Sequence, residues 1–270
     1  MTGPAARGGP TTAIARLESR RHLRSAALLA AVLSVFGALY VAIFPELKAQ
    51  ASEIVEVFPE FILDLFGIEA LDTIEGFLAA EMYSFFWTVL VGVYFAYLGA
   101  SMIAVDVHDR RMDLTLANPV ARESVVLQKV AALWAPLALL NVPVWGVLFV
   151  GSALVGEPID GAALAMVHLL SVPYLLVCAG LGLVLSVALG HPRQAKGAAV
   201  AVVILQWLVD AVSRLSPDFE WVGAFTPARY YDYTAILVHN AYDPVNAALL
   251  LVAWIVLLGL ATVLFVRRDI

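Results

Sequence analysis

The spacing of charged residues is the feature that most constrains this chain. Five uncharged runs of 21, 24, 27, 32 and 23 residues separate neighbouring charges, at positions 25–45, 82–105, 130–156, 161–192 and 244–266. About 20 apolar residues, rising about 1.5 Å each as a helix, cross the roughly 30 Å hydrocarbon core of a bilayer. Each run is therefore predicted to contain a membrane-spanning helix.

A sixth span is predicted from a shorter run. Only 13 uncharged residues separate Lys196 from Asp210, so a spanning helix there has to continue to about Leu215. Arg214 would then lie about 27 Å along the helix from Lys196, close enough to the far interface to extend its charge there. Asp210, four residues earlier, is placed to pair with it. The six predicted spans are approximately 25–45, 82–105, 130–156, 162–190, 197–215 and 245–266.

Composition excludes several other classes of protein. Hydrophobic residues make up 62% of the chain and charged residues 14%, against about 45–50% and 25% in soluble domains. A single cysteine, Cys178, allows neither a disulfide framework nor a cysteine-based metal site, and the five histidines lack metal-ligand spacing. A net charge of −6 gives no overall attraction for nucleic acid. We expect an all-α polytopic membrane protein, with residues 1–270 forming one transmembrane domain.

The distribution of basic residues predicts the orientation. If the six spans are correct, 13 of the 16 Lys and Arg residues lie on one side of the membrane, and only Lys48, Arg214 and Arg229 lie on the other. Cytoplasmic loops carry such an excess. Both termini are therefore expected in the cytoplasm of a multi-pass cell-membrane protein, as an even number of spans requires.

Two amphipathic segments flank the first span. Residues 11–24 carry apolar and basic positions at helical spacing, which is typical of an elbow helix at the inner interface. On the outer side, acids recur every three or four residues beside an apolar face, which predicts an extracellular interfacial helix between the first two spans, either passive or a lid. These acids are Glu53, Glu56, Glu60 and Asp64.

A cleaved signal peptide is an alternative reading of the amino terminus. Ala49-Gln50-Ala51 resembles a cleavage site after an apolar run. The run is longer than the usual 7 to 15 residues of such a signal, which favours a retained helix.

Small residues recur at every fourth position in three of the spans. Such stripes let helix backbones approach closely, but they do not identify the partner helix. The stripes are Ala30, Ser34, Ala38 and Ala42; Gly92, Ala96, Ala100 and Ala104; and Gly182, Ser186 and Gly190.

Candidate chemistry inside the membrane is sparse. His168 and Asp210 are the ionisable residues predicted within spans, and they form the one possible catalytic pair of an intramembrane enzyme. The chain has no G-x-x-x-x-G-K-[ST] phosphate-binding loop, so it is not expected to bind ATP by that motif. If the chain is a transporter, the energy for transport would come from a gradient or from another subunit. Gradient-driven transporters usually have buried acids or broken helices at mid-membrane, which favours a partner here.

The inner loop from Asp106 to Lys129 is the most informative stretch. Its charges are too dense for lipid, and apolar residues share one helical face before Asn118-Pro119 ends the pattern. A short amphipathic helix along the inner surface is predicted in the region 106–122, with an exposed face suited to a groove on a soluble protein. The residues assigned to docking are Asp106, Asp109, Arg110, Arg111, Met112, Asp113, Leu114, Pro119 and Arg122.

This loop resembles that of the membrane subunits of type-2 ABC exporters. Their loop has the general form E-x-x-E-G-T-L-E-x-L-L-x-x-P-V-S-R followed by a Lys. Met112-Asp113-Leu114 and Pro119-Val120-Ala121-Arg122 match its second half, with Lys129 following. The departure is Arg110-Arg111 in place of Gly-Thr. The family layout of six spans fits nearly the whole chain, although only about 25 residues carry the specific motif.

The resemblance implies a permease without a catalytic site or cofactor of its own. Its partners would be a separate ATP-binding-cassette ATPase, which binds ATP-Mg, and a second permease subunit, identical or similar, in the lipid bilayer. The loop would be the coupling helix of an exporter. Two alternatives remain at this point: an intramembrane enzyme using His168 and Asp210, and a membrane assembly subunit that transports nothing. The substrate is not specified by the sequence.

Overall fold

The computed structural model describes residues 12–50, 70–215 and 217–268. Within these ranges every regular element is helical, and six helices are long and apolar enough to cross a membrane. The prediction of an all-α polytopic membrane protein with six spans is therefore confirmed. The acidic outer segment containing Glu53 to Asp64 lies outside the described residues.

The spanning helices are α1, α2, α4, α5, α6 and α9, and shorter helices lie between them. In chain order the elements are α1 (Ala13–Lys48), α2 (Ile74–His108), α3 (Arg111–Leu116), α4 (Arg122–Leu154), α5 (Gly161–Leu189), α6 (Pro192–Ser213), α7 (Glu220–Gly223), α8 (Tyr233–Val238) and α9 (Pro244–Val266).

Helix α1 differs from the expected arrangement of an elbow followed by a span. The amphipathic segment at 11–24 continues into the first span without a break, as part of one helix of 36 residues. No Gly or Pro interrupts residues 13–36, so nothing in the sequence ends the helix where the charges end. The entry segment is therefore the extended first part of α1 and not a separate helix.

Helix α2 contains an irregularity that no sequence pattern predicted. It is π-helical from Ala79 to Val91 and α-helical on either side. Side-chain hydroxyls donate hydrogen bonds to backbone carbonyls in the π-helical part. Thr88 Oγ1 donates to the carbonyl of Tyr83 at 2.8 Å, and Tyr174 Oη of α5 donates to the carbonyl of Thr88 at 2.7 Å. These bonds satisfy polar groups that lipid could not.

Helices α2 and α5 form the centre of the bundle. About two thirds of their most apolar windows (67% each) are buried inside the protein, against 22–28% for the other four spanning helices. The predicted small-residue stripes explain part of the contact, since a side chain at Gly182 would collide with the backbone of Ala96 in α2. Gly99, which lies outside the predicted stripes, approaches the backbone of Ala179 equally closely. Ser186 Oγ also donates to the carbonyl of Ala100 at 2.7 Å. The remaining helices pack around this pair, with α1 against α4 and α9 against α5.

The small-residue stripe predicted in α1 is only partly a packing face. Ala30 is buried, but Ala38 and Ala42 are exposed. The buried side of α1 follows a different register, in which Gly37 lies against Leu148 of α4. Its members are Glu18, Ala26, Ala30, Leu33, Gly37, Val41 and Phe44.

Candidate functional site

The predicted docking residues lie in a tight connection between α2 and α4. Helix α2 ends at His108, and Arg110 takes a left-handed conformation (φ 56°) that turns the chain into the six-residue helix α3. Helix α4 then begins at Arg122, directly after Asn118, Pro119 and the extended residue Ala121. The loop therefore presents α3 beside the ends of two spanning helices.

Exposure divides the predicted docking residues into two groups. Asp109, Arg110, Asp113, Leu114 and Pro119 are exposed, and Leu114 leaves 73% of its surface open. Asp106 and Met112 are buried, with Met112 completely covered, so neither is available to a partner's surface. We therefore leave these two residues out of the proposed docking surface. We refer to Asp109, Arg110, Asp113 and Leu114 as the exposed tip.

A buried ionic cluster lies directly behind the exposed tip. The side chain of Lys129 is 3% exposed, and its Nζ donates to Glu18 Oε1 at 2.9 Å and to Asp106 Oδ2 at 2.5 Å. Arg111 Nε lies 3.3 Å from Asp106 Oδ1, and Arg21 lies 2.9 Å from Glu18. We call Glu18, Arg21, Asp106, Arg111 and Lys129 the ionic hub. It connects α1, α2, α3 and α4 at one point.

The composition of the hub accounts for its stability. Charges taken out of water are costly unless they are paired and hydrogen-bonded, and removing one partner of a buried pair is strongly destabilising. Here Lys129 is shared by two carboxylates, and each carboxylate has a second cation within 4 Å. Coulomb attraction therefore holds the four helices in one arrangement at this end of the bundle.

Sequence reasoning missed the roles of Glu18 and Lys129. Lys129 was recognised as the lysine that follows the family loop motif and leads back into the third span. Glu18 is the only acid in the basic segment 12–24, but several arginines lie beside it there, so nothing in the sequence indicated its pairing with a distant lysine. The pairing itself joins residues 111 positions apart, which no local pattern shows.

Arg122 points away from the exposed tip, towards the end of α9. Its Nη1 donates to the carbonyls of Arg268 at 2.5 Å and Val266 at 3.3 Å, and its guanidinium lies 6.0 Å from the centre of the Phe265 ring. A cation at the carboxyl end of a helix satisfies carbonyls that have no partner within the helix. Arg122 therefore positions the loop against α9.

The two intramembrane candidates, His168 and Asp210, belong to separate clusters. His168 bonds to Tyr83 Oη at 2.9 Å and to Asn141 Oδ1 at 3.1 Å, and both partners lie on other helices. Asp210 accepts from Arg214 at 3.0 Å, the ion pair that the sequence predicted. Neither residue hydrogen-bonds to the other, so the geometry gives no support to a catalytic pair. Among the residues described, no group of three His, Cys, Asp or Glu is placed to hold a metal ion.

Comparison with known proteins identifies the family. The model of the ABC-2 family transporter proteins matches residues 12–270, which is nearly the full length. No curated protein matches the chain closely enough to count as a relative. The match covers all six spanning helices, the connection that carries α3 and the ionic hub. The chain therefore belongs to the ABC-2 transporter family, as a multi-pass membrane permease of an ABC transporter.

Proposed function

We propose that this permease is driven by a separate ATP-binding-cassette ATPase that docks on the exposed tip. Membership of the family implies such a partner. The exposed tip supplies two acids, one arginine and an uncovered leucine on adjacent turns, a combination of apolar anchor and charge that suits a groove on a soluble protein. The partner binds and hydrolyses ATP-Mg.

The ionic hub is the observation that carries the proposal. Arg111, on the same short helix as Asp113 and Leu114 of the exposed tip, lies against Asp106, and Asp106 shares Lys129 with Glu18 of α1. Met112 of this helix is completely buried in the bundle. A displacement of the exposed tip would therefore move the ends of α1, α2 and α4 together, since the hub joins them more firmly than a solvated loop would.

Transport follows from two arrangements of the spanning helices. Closure of the ATPase would favour one arrangement over the other, because an ATP-bound partner binds the two with different affinity. We propose that two permease subunits, identical or similar, form the pathway between them and that the direction is export. The exposed tip and both termini would face the cytoplasm, where ATP is available.

Alanine substitution at the exposed tip tests the docking. The variant R110A/D113A/L114A changes exposed residues only and removes none of the ion pairs of the hub. We expect the variant to insert into the membrane normally, to lose most of its copurification with the co-expressed ATPase, and to lose the ATP hydrolysis that is coupled to transport. The measurement is the ATPase-to-permease ratio after affinity purification.

A matched control separates docking from loss of surface charge. E123A/L189A/R193A removes the same three kinds of side chain from exposed positions elsewhere at the same end of the bundle. This control is expected to keep the wild-type ratio. Undiminished ATPase capture by the exposed-tip variant would contradict the proposed docking surface.

A further inference from the structure

The first part of α1 separates its basic residues onto two sides. On the inward side, Arg21 lies in the ionic hub. On the outward side, Arg16, Arg20 and Arg24 are exposed at four-residue spacing. Among residues 12–50, 70–215 and 217–268, no acid forms an ion pair with any of these three arginines. A purely structural role in the bundle therefore accounts for Arg21 but not for the outward three.

The outward arginines continue an apolar face that enters the membrane. Arg20 and Arg24 share a helical face with the exposed Leu28 (68%) and Val35 (68%), opposite the buried Leu33. Taking Ser25 as the edge of the hydrocarbon, Arg24 and Arg20 lie about 1.5 and 7.5 Å beyond it. The headgroup layer is about 5 to 7.5 Å thick on each side. Both guanidinium groups are therefore at or beside headgroup depth.

A shallow groove adjoins this face. It has a volume of about 550 Å³ and is lined by Thr12, Ala13, Arg16, Leu17 and Arg20. Arg20 belongs both to this groove and to the face at headgroup depth, so its guanidinium is placed to bind a phosphate oxygen pair beside the uncovered Leu17. The groove is therefore complementary to an anionic amphiphile.

We propose that this face of α1 binds the phosphate headgroup of an anionic phospholipid in the adjacent leaflet. Charge complementarity and continuity with the membrane-facing apolar stripe favour a lipid over a soluble partner, since a soluble protein would not reach Leu28 and Val35. The bound headgroup would hold α1 at a fixed depth, on the opposite side of the helix from the hub. This inference concerns α1 alone and does not depend on the ATPase.

The test measures binding of a fluorescent phosphatidylglycerol to the purified, detergent-solubilised permease. A basic residue near an anionic surface contributes about fivefold in affinity. We therefore expect R20Q/R24Q to bind the probe about 25-fold more weakly, and R20K/R24K, which keeps both charges but loses the bidentate geometry, to fall between this variant and the wild type. A phosphatidylcholine probe with the same chains should show no difference between variants.

The control variant R193Q/R267Q removes two exposed arginines at the ends of α6 and α9. It is expected to stay within twofold of the wild type. An equal loss in both double variants would overturn the proposal, because it would indicate attraction by net charge alone. Displacement of the probe by a few millimolar inorganic phosphate would overturn the lipid assignment. Normal lipid binding by R20Q/R24Q together with lost ATPase capture would assign the face to the partner instead.

Discussion

Lys129 is the residue on which the end of the bundle that carries the exposed tip most depends. Replacement by Met keeps most of the side-chain volume but leaves Glu18 and Asp106 buried without the cation they share. Breaking a buried ion pair by removing one partner costs about 3–5 kcal/mol, and here Arg21 and Arg111 remain beside the two carboxylates. We expect K129M to lower the free energy of unfolding by up to that amount, measured by denaturant titration in detergent.

Two comparisons establish that charge causes this loss. K48M removes a lysine of similar size from the exposed pair with Glu157, and such pairs contribute about 0–1 kcal/mol. The triple variant E18Q/D106N/K129M removes all three charges, so most of the lost stability should return. If K129M and K48M proved equally mild, the hub would not be the structural anchor described above.

Tyr83 and His168 allow a second prediction at the scale of single residues. Y83F leaves His168 Nε2 buried without its partner, which costs about 1–3 kcal/mol. Y94F removes a hydroxyl from an exposed contact with Ser25 and should cost less than about 0.5 kcal/mol. Thermal unfolding of the two variants side by side makes the comparison, and equal stability would argue against a structural role for the His168 cluster.

These residues also show what the sequence could and could not predict. The uncharged run placed His168 inside a span, and the four-residue spacing predicted the pairing of Asp210 with Arg214, because both facts are local. The partners Tyr83 and Asn141 lie 85 and 27 positions away on other helices, so only the folded bundle brings them to the histidine. For the same reason the exposed tip was predicted together with Asp106 and Met112, whose burial is visible only in the folded bundle.

At the scale of helices, charge spacing predicted the spans well because the cost of placing charge in hydrocarbon acts residue by residue. It did not predict that α1 continues beyond its apolar run, since a helix ends where caps and breakers end it and not where lipid ends. Nor did it predict the π-helical part of α2, which is stabilised by Tyr174 from α5.

The contact between α2 and α5 gives a prediction at this scale. A methyl group at Gly182 would meet the backbone carbonyl of Ala96, which cannot move as a flexible side chain would. Forcing the helices apart costs about 1–3 kcal/mol, so G182A should lower the thermal midpoint clearly. Gly197 of α6 has open space around it, so G197A should not destabilise the protein and should raise its stability by up to about 1 kcal/mol through the higher helix propensity of Ala. Equal effects would mean that α2 and α5 do not pack this closely.

The whole molecule presents its two ends very differently. Thirteen of the 16 basic residues are assigned to one end, which also carries the ionic hub and the exposed tip. The other end carries the short helices α7 and α8, and there Tyr231 packs into the bundle against Tyr174 with ring centres 5.6 Å apart. The proposed coupling requires that the basic end face the ATP-containing compartment.

Cysteine labelling tests this orientation with little background, because the only native cysteine, Cys178, is buried. Leu114 at the exposed tip and Phe225 before α8 leave 73% and 79% of their surfaces open. We expect F225C to react with a membrane-impermeant maleimide in intact cells and L114C to react only after the membrane is opened. Six spans put both termini on the same side as the exposed tip, and the excess of basic residues assigns that side to the cytoplasm. Labelling of L114C in intact cells would reverse the orientation. Labelling of both cysteines from the same side would contradict the six-span topology, and with it the proposal that an ATPase docks on the exposed tip.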